Sequence, residues 1–393
     1  MLKRGAILGA VLVAAASLMS CAVAPLPEPA AAPAPPPAPA PAPVPPPPAA
    51  PLDAPLQRGI ARWWPADWAE LPGFEADALL QAAPALAAGC QRPLRAWAEV
   101  CARLAATPPA DDLAARDFLR AHLQPFRVTS AEGMADGLIT GYYEPQLTAR
   151  RQRDARHRVP LYALPEVLRD RREPWLTRRE METQRGAQRL LAEHAIAWLA
   201  DPLDALVLQI QGSGRLQITE ADGRVSMVRL GYAGHNGHPY RSVGRWLIEQ
   251  GELPADGVSW PAIKAWARAN PSRIDEMLWV NPRMVFFREE PLPDPAVGPR
   301  GAMGVPLTPG RSIAVDPRSV PYGSWVWIDT TEPLSSTPLR RLVTAQDTGS
   351  AITGAVRADY FWGWGDEAEQ QAGRMKQPLR LWVLWPRGVT PPP

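Results

Sequence analysis

The sequence predicts a mainly β fold with flanking helices, and three observations carry that expectation. Residues 137–149 alternate in the manner of a strand. Towards the end of the chain, Ser312-Ile-Ala-Val, Trp325-Val-Trp-Ile, Arg341-Leu-Val-Thr-Ala and Leu379-Arg-Leu-Trp-Val-Leu-Trp are rich in β-branched or aromatic residues. Helical periodicity is read over intervals at 76–103, 111–123, 241–250 and 261–269, which flank the strand-like runs.

The chain begins with Lys3 and Arg4, an apolar stretch over 6–19 and then Ser20-Cys21, the pattern of a secretory leader too short to span a membrane as a mature helix. Leu18-Met19-Ser20-Cys21 resembles the bacterial lipobox. That resemblance implies a signal peptide over 1–20, cleavage before Cys21 and lipidation of its thiol, so that acyl chains anchor the mature protein. Ala22 rather than Asp after the lipidated cysteine accords with sorting to the outer membrane, facing the periplasm. Residues 21–54 are a tether, almost all Pro and Ala from 25 to 51. Such a composition buries no apolar area and favours extended polyproline II, with a reach on the order of 80 Å.

Residues 55–388 remain for folded structure, enough for two domains. The net charge of +2 is nearly balanced and the arginines are scattered among acids, which excludes a nucleic-acid stripe. The densest basic run, 150–158, reads as a solvated loop, with contact to an anionic polymer as the sharper alternative. Cys90 and Cys101 would lie about 16 Å apart on one continuous helix. A disulfide therefore needs the chain to turn near Pro93, and the pairing stays open.

In the first helical interval Leu79, Leu86, Trp97 and Val100 are inward candidates, and Asp111 or Asp112 starts the second. Pro145 marks an edge or turn after the alternating run. Short strand-like runs are expected at 205–218 and 224–232, and a helical interval then carries Trp246, Leu247, Ile263 and Trp266 inward. Pro321-Tyr-Gly and Asp347-Thr-Gly supply turns between the late strands.

Three aspartates punctuate that late region. Asp316, before Pro, reads as a turn cap. Asp347, before Thr-Gly, is balanced between turn-former and site member. Asp359 stands without Pro or Gly beside it, next to Tyr360, Phe361, Trp362 and Trp364, and is the strongest functional candidate. A carboxyl among aromatic rings loses hydration, which favours its neutral, proton-donating form; rings and carboxylates together suit a carbohydrate site. Gly212 and Gly214, around Gln211 and Ser213, would allow close backbone approach to a ligand or form a simple turn. His235 and His238 lack the acids or cysteines of a metal site and read as loop-stabilising; no metal or cofactor is expected.

The sequence resembles the membrane-bound lytic murein transglycosylase A family. The resemblance rests on Thr140-Gly-Tyr-Tyr-Glu-Pro, Gln211-Gly-Ser-Gly, Gly231-Tyr-Ala-Gly-His-Asn-Gly-His, Asn281-Pro-Arg-Met-Val-Phe-Phe and the three-aspartate segment over 306–385. It implies a double-psi β-barrel domain built from 55–144 and 291–388, a smaller β-barrel-like domain inserted over 145–290, and a groove between them for a glycan strand. It also implies non-hydrolytic cleavage of the β-1,4 bond between N-acetylmuramic acid and N-acetylglucosamine, with a 1,6-anhydro product and a single aspartate, Asp359, as acid and then base. Asp347 is the supporting catalytic group. Tyr142, Tyr143, Gln211, Gly212, Ser213, Gly214 and Trp362 are the substrate-binding candidates. The implied partners are peptidoglycan glycan strands, the outer membrane through the lipid anchor, and candidate cell-wall synthesis or division proteins. Glu144 is a carboxylate without an assigned role.

Two other readings compete. Asp347-Thr348-Gly349 after an apolar strand looks like the aspartic-protease signature, although a second copy is missing from the chain. A non-catalytic peptidoglycan-binding lipoprotein could use the same aromatics to grip glycan.

Overall fold

The computed structural model describes residues 54–255 and 257–392. The leader, Cys21 and all but the last residue of the tether lie outside them. Among the described residues, β1 (Leu56–Arg58), β2 (Ala61–Pro65), β3 (Leu123–Ser130) and β4 (Gly137–Glu144) come first. They are followed by β5 (Gln146–Arg150), β6 (Val159–Tyr162), β7 (Ala195–Leu199), β8 (Gly214–Thr219), β9 (Val225–His235) and β10 (Val285–Pro291). The last five are β11 (Ser312–Val315), β12 (Trp325–Thr331), β13 (Pro338–Asp347), β14 (Arg357–Trp364) and β15 (Lys376–Pro386).

Two sheets result. One runs β1-β2-β3-β15-β12-β13-β11-β14-β4, and β4 also pairs with β15, which joins the strands from β15 round to β4 into a barrel-like ring. Closure removes the free edges that a flat sheet would leave unpaired. The other sheet, β10-β9-β8-β5-β7-β6, is built wholly from the intervening residues.

The alternating side chains of β12 and β15 turn Trp325, Trp327 and Trp385 into the first core, where they meet Trp63 and Trp97 from the preceding segment. Trp97 packs 4.9 Å from Trp325 and 5.9 Å from Trp385, with the edge-to-face tilt that ring quadrupoles favour in the second pair. The first helical interval is broken as the turn at Pro93 requires. Helix Ala83–Cys90 ends, a short 3-10 turn Arg95–Trp97 follows, and helix Ala98–Ala106 runs back. Cys90 and Cys101 are brought to a Cα separation of 5.4 Å and bonded. Asp111 caps helix Asp112–His122 by accepting the Ala114 N–H at 2.8 Å.

One expectation fails locally. Residues 205–211, read as strand-like, belong to helix Pro202–Gln211, capped by Asp201, and the strand starts only at Gly214. Leu203, Ala205, Leu206, Val207 and Leu208 are all buried, so the helix is apolar on nearly every side and shows no one-faced period. The basic run at 150–158 is tied to acids: Arg150 pairs with Asp154, and Arg151 pairs with Glu220 and Glu289.

Glu144 now has a structural role. It ends β4, where the chain leaves the first sheet, and has no exposed surface. Arg215 Nε of β8 and Arg229 Nε of β9 donate to its carboxylate at 2.7 and 2.5 Å. Arg215 also donates to the Pro295 carbonyl at 2.6 Å, Arg229 to the Val297 carbonyl at 2.5 Å, and the Arg215 guanidinium lies 3.8 Å over the Trp364 ring. Outgoing chain, returning chain, second sheet and β14 are thereby fastened at one buried point.

Candidate active site

The two aspartates are placed by the pairing of β11. Ala314 faces Asp359 across the antiparallel β14 and Asp347 across the parallel β13, so the acids flank one small buried residue from opposite sides. Two strand spacings put their Cα atoms on the order of 10 Å apart. A bulge makes this possible. Ile313 pairs with Ala345 but Ala314 with Asp347, so Gln346 is skipped. A one-residue slip reverses which face a side chain takes. Gln346 therefore turns into the core, donating to the Ala85 carbonyl and accepting from Ser312 Oγ, while Asp347 joins the face of Asp359.

Both acids line a groove of about 560 Å³ whose other wall comes from the second sheet and its loops, including Gln211, Gly212, Ser213, Tyr232, His235 and Arg283. Each keeps a partial opening to solvent at the groove floor and is surrounded by protein elsewhere. Burial raises the Asp359 pKa to about 6, with the nearby Asp347 adding to the rise, against the opposing pull of Thr140 and Arg357. Thr140, its partner residue on β4, donates to Asp359 Oδ1 at 2.5 Å and accepts from Arg357 Nη2 at 2.9 Å. Because the arginine occupies the Thr140 oxygen, the threonine proton is directed at Oδ1, and Oδ2 is left to carry the acid's own proton.

Asp347 is differently held. Its Oδ1 accepts the Ala302 and Thr348 N–H groups, both at 2.9 Å, and its Oδ2 accepts the Tyr142 hydroxyl at 3.0 Å. Burial pushes its pKa upward and these three donors oppose the rise. Ala302 reaches it because Gly301 has no side chain; a Cβ there would stand 2.5 Å from the Gln346 carbonyl. The Tyr142 hydroxyl is raised well above its ordinary value by burial and then by both aspartates, and stays protonated as a donor.

The remaining sequence candidates separate. Gln211, Gly212 and Ser213 line the groove, and Gln211 Oε1 accepts the Tyr143 N–H at 3.1 Å. Gly212, at φ 80°, terminates helix Pro202–Gln211 in the left-handed region. Gly214 is buried at the start of β8, where a Cβ would meet Leu208 at 2.3 Å. Tyr143 is buried among Val207, Ala368 and Ala372. Trp362 is half-buried, donating to Met375 Sδ and packing on Tyr360, outside the groove lining. Asp316 caps a turn: burial would raise its pKa, but Arg318 and the Gly354 and Arg318 N–H groups hold it below the ordinary value. His238 Nε2 bonds the Trp175 carbonyl at 2.7 Å, whereas His235 borders the groove. Among the described residues no group of His, Cys, Asp and Glu could hold a metal ion. The sequence alone assigns no role to Thr140, Arg357 or Arg283; the first two come together only once β4 and β14 are paired.

Residues 138–288 match the MltA specific insert domain and residues 311–385 the 3D domain. Membrane-bound lytic murein transglycosylase A of Escherichia coli K12 is 30% identical over 275 residues, covering 68% of this chain and 71% of the relative. Among solved structures, MltA from Neisseria gonorrhoeae is similar with a TM-score of 0.73 at 31% identity, covering 88% of this chain and 97% of that one. The lytic transglycosylase LtgG of Burkholderia pseudomallei is 45% identical with a TM-score of 0.58, covering 86% and 99%. With two carboxylates side by side on the floor of a groove in this fold, the chain belongs to the membrane-bound lytic murein transglycosylase A family and is a peptidoglycan lytic transglycosylase.

Proposed function

We propose that the enzyme cleaves the β-1,4 bond between N-acetylmuramic acid and N-acetylglucosamine without water, using Asp359 as acid and then as base. The observation that carries this reading is Asp359 on the groove floor, held near pKa 6 and, among the described residues, hydrogen-bonded on Oδ1 alone. Protonated Asp359 donates from Oδ2 to the glycosidic oxygen as the C1–O bond breaks, leaving oxocarbenium character on the muramyl ring. The carboxylate then takes the proton of that ring's C6 hydroxyl, whose oxygen attacks C1 and closes the 1,6-anhydro ring. Donation and recovery balance, so the acid is regenerated within one turnover. A nucleophile tethered to its electrophile needs no second carboxylate to position water.

Asp347 supports the cation electrostatically, its charge sustained by two backbone N–H groups and Tyr142. Gln211, Gly212 and Ser213 contact the strand from the opposite wall. The barrel-like ring is read as a double-psi barrel of 55–144 and 291–388, with 145–290 as the inserted lobe. The lipobox-like leader supports an outer-membrane lipoprotein facing the periplasm, and family membership favours an enzyme over a wall-binding module or a protease-like hydrolase.

Purified sacculi digested with the soluble body, residues 55–393, and with its Asp359→Asn variant test the assignment. Wild type is expected to release soluble muropeptides and the variant to bind sacculi without releasing them. Comparable release by both would remove Asp359 from the chemistry.

A further inference from the structure

One cation in the groove stands without an anionic partner among the described residues, which a neutral sugar chain does not call for. Four arginines line the groove. Arg229 pairs with Glu144, a carboxylate it shares with Arg215, and Arg288 pairs with Glu290 at 2.6 Å. Arg300, exposed at the rim, donates to the Gly304 carbonyl. Arg283 is half-buried and held by neutral groups: Nε donates to the His238 carbonyl at 2.8 Å and Nη1 to Ser350 Oγ at 2.8 Å, while Nη2 lies 3.1 Å from His235 Nε2. No carboxylate lies within ion-pair distance of it among the described residues. A desolvated cation without a counter-charge is costly, and a guanidinium fixed in orientation is suited to a carboxylate.

The contact with His235 points the same way. His235 Nδ1 faces the Gly237 N–H at 2.8 Å and Nε2 the Arg283 Nη2 donor at 3.1 Å; a neutral ring has one acceptor nitrogen for these two donors, and taking the shorter contact as the hydrogen bond puts the ring proton on Nε2. Burial, with Arg283 and His238, keeps the ring from charging by lowering its pKa. Nε2–H and the Arg283 Nη2 donors therefore converge with no acceptor between them. An anion shared by both would satisfy the pair.

We propose that Arg283 and His235 form a carboxylate subsite in the groove, by which the enzyme distinguishes muramyl strands from neutral β-1,4-linked N-acetylglucosamine. This rests on the glycan-cleaving reading above and names what part of the strand is recognised. The sugar backbone is neutral; carboxylates come from the stem peptide, or from the lactyl group once the peptide has been removed. Arg283 bridges the two walls through Ser350, three residues beyond Asp347, so engaging a carboxylate there seats the strand in the same groove as the acids.

The test uses Asp359→Asn protein, which keeps strands uncut, and three soluble probes: glycan strands with stem peptides, the same strands after amidase treatment, and chitohexaose. Adding Arg283→Met is expected to weaken binding of one or both carboxylate-bearing strands roughly tenfold or more, the usual effect of losing a charged hydrogen bond. Chitohexaose affinity stays within about twofold by the same reckoning, because no charged contact is lost. Loss confined to stem-bearing strands identifies the peptide as the source; loss confined to amidase-treated strands identifies the lactyl group. Ser350→Ala, which breaks the bridge but keeps the charge, is expected to retain the preference. Equal weakening for all three probes, or for none, overturns the subsite while leaving the cleavage reading intact. Absence of binding to every probe by Asp359→Asn alone overturns both. If Arg283→Met fails to fold, Arg283→Lys decides: the preference falls with the loss of the planar fork, and an undiminished preference refutes it.

Discussion

An acid kept protonated near neutrality is an energetic burden on the fold, and its removal should stabilise the protein. The Asp359 carboxyl is raised from 3.8 to about 6, chiefly by burial. In that interval the folded protein binds this proton more tightly than the unfolded chain does, so stability falls as pH rises through it. Integrating the linkage gives a penalty of about 1 kcal/mol at pH 4.5 and about 3 kcal/mol at pH 7.5. Asparagine has nearly the same shape, cannot ionise and still offers Oδ1 to Thr140. Asp359→Asn is therefore expected to be more stable than wild type by about 3 kcal/mol at pH 7.5, shrinking to about 1 kcal/mol at pH 4.5. Urea denaturation midpoints of both proteins at the two pH values measure this directly. A variant whose advantage does not grow with pH, or which is less stable at pH 7.5, would refute a strained, desolvated carboxyl at 359.

The same geometry makes two further predictions. Thr140→Ala removes a donor that favours the ionised form of Asp359, so the alkaline limb of its pH–rate profile should move to higher pH; an unmoved limb would mean the hydroxyl does not tune the acid. Glu144→Gln leaves two buried guanidiniums facing a neutral amide and should cost about 3–5 kcal/mol in chemical denaturation, whereas a loss under about 1 kcal/mol would show that the junction is not held by that charge.

Local chemistry made parts of this protein readable from its sequence. Asp111 announced a helix start and Asp316 a turn; each is a statement about near neighbours. The helix Pro202–Gln211 was obscured because burial on most sides erased its period. The bulge at Ile313 and Ala314, which selects Asp347 rather than Gln346 for the groove, depends on pairing between distant strands and leaves no mark in composition. Glu144 meets partners 71 and 85 residues away, so its role emerged only with the second sheet in place. Tyr143 and Trp362 were groove candidates as aromatics near the acid, yet β-strand alternation sends them to the packing side, where an aromatic buries more area.

The central chemical claim is that the muramyl C6 oxygen, and not water, closes on C1 at Asp359. Digestion of purified sacculi in heavy-oxygen water, with mass spectrometry of the released muropeptides, tests it most directly. Ring closure gives products lighter by one water than the hydrolytic species and free of label, whereas labelled reducing ends as the main product would contradict the single-acid mechanism.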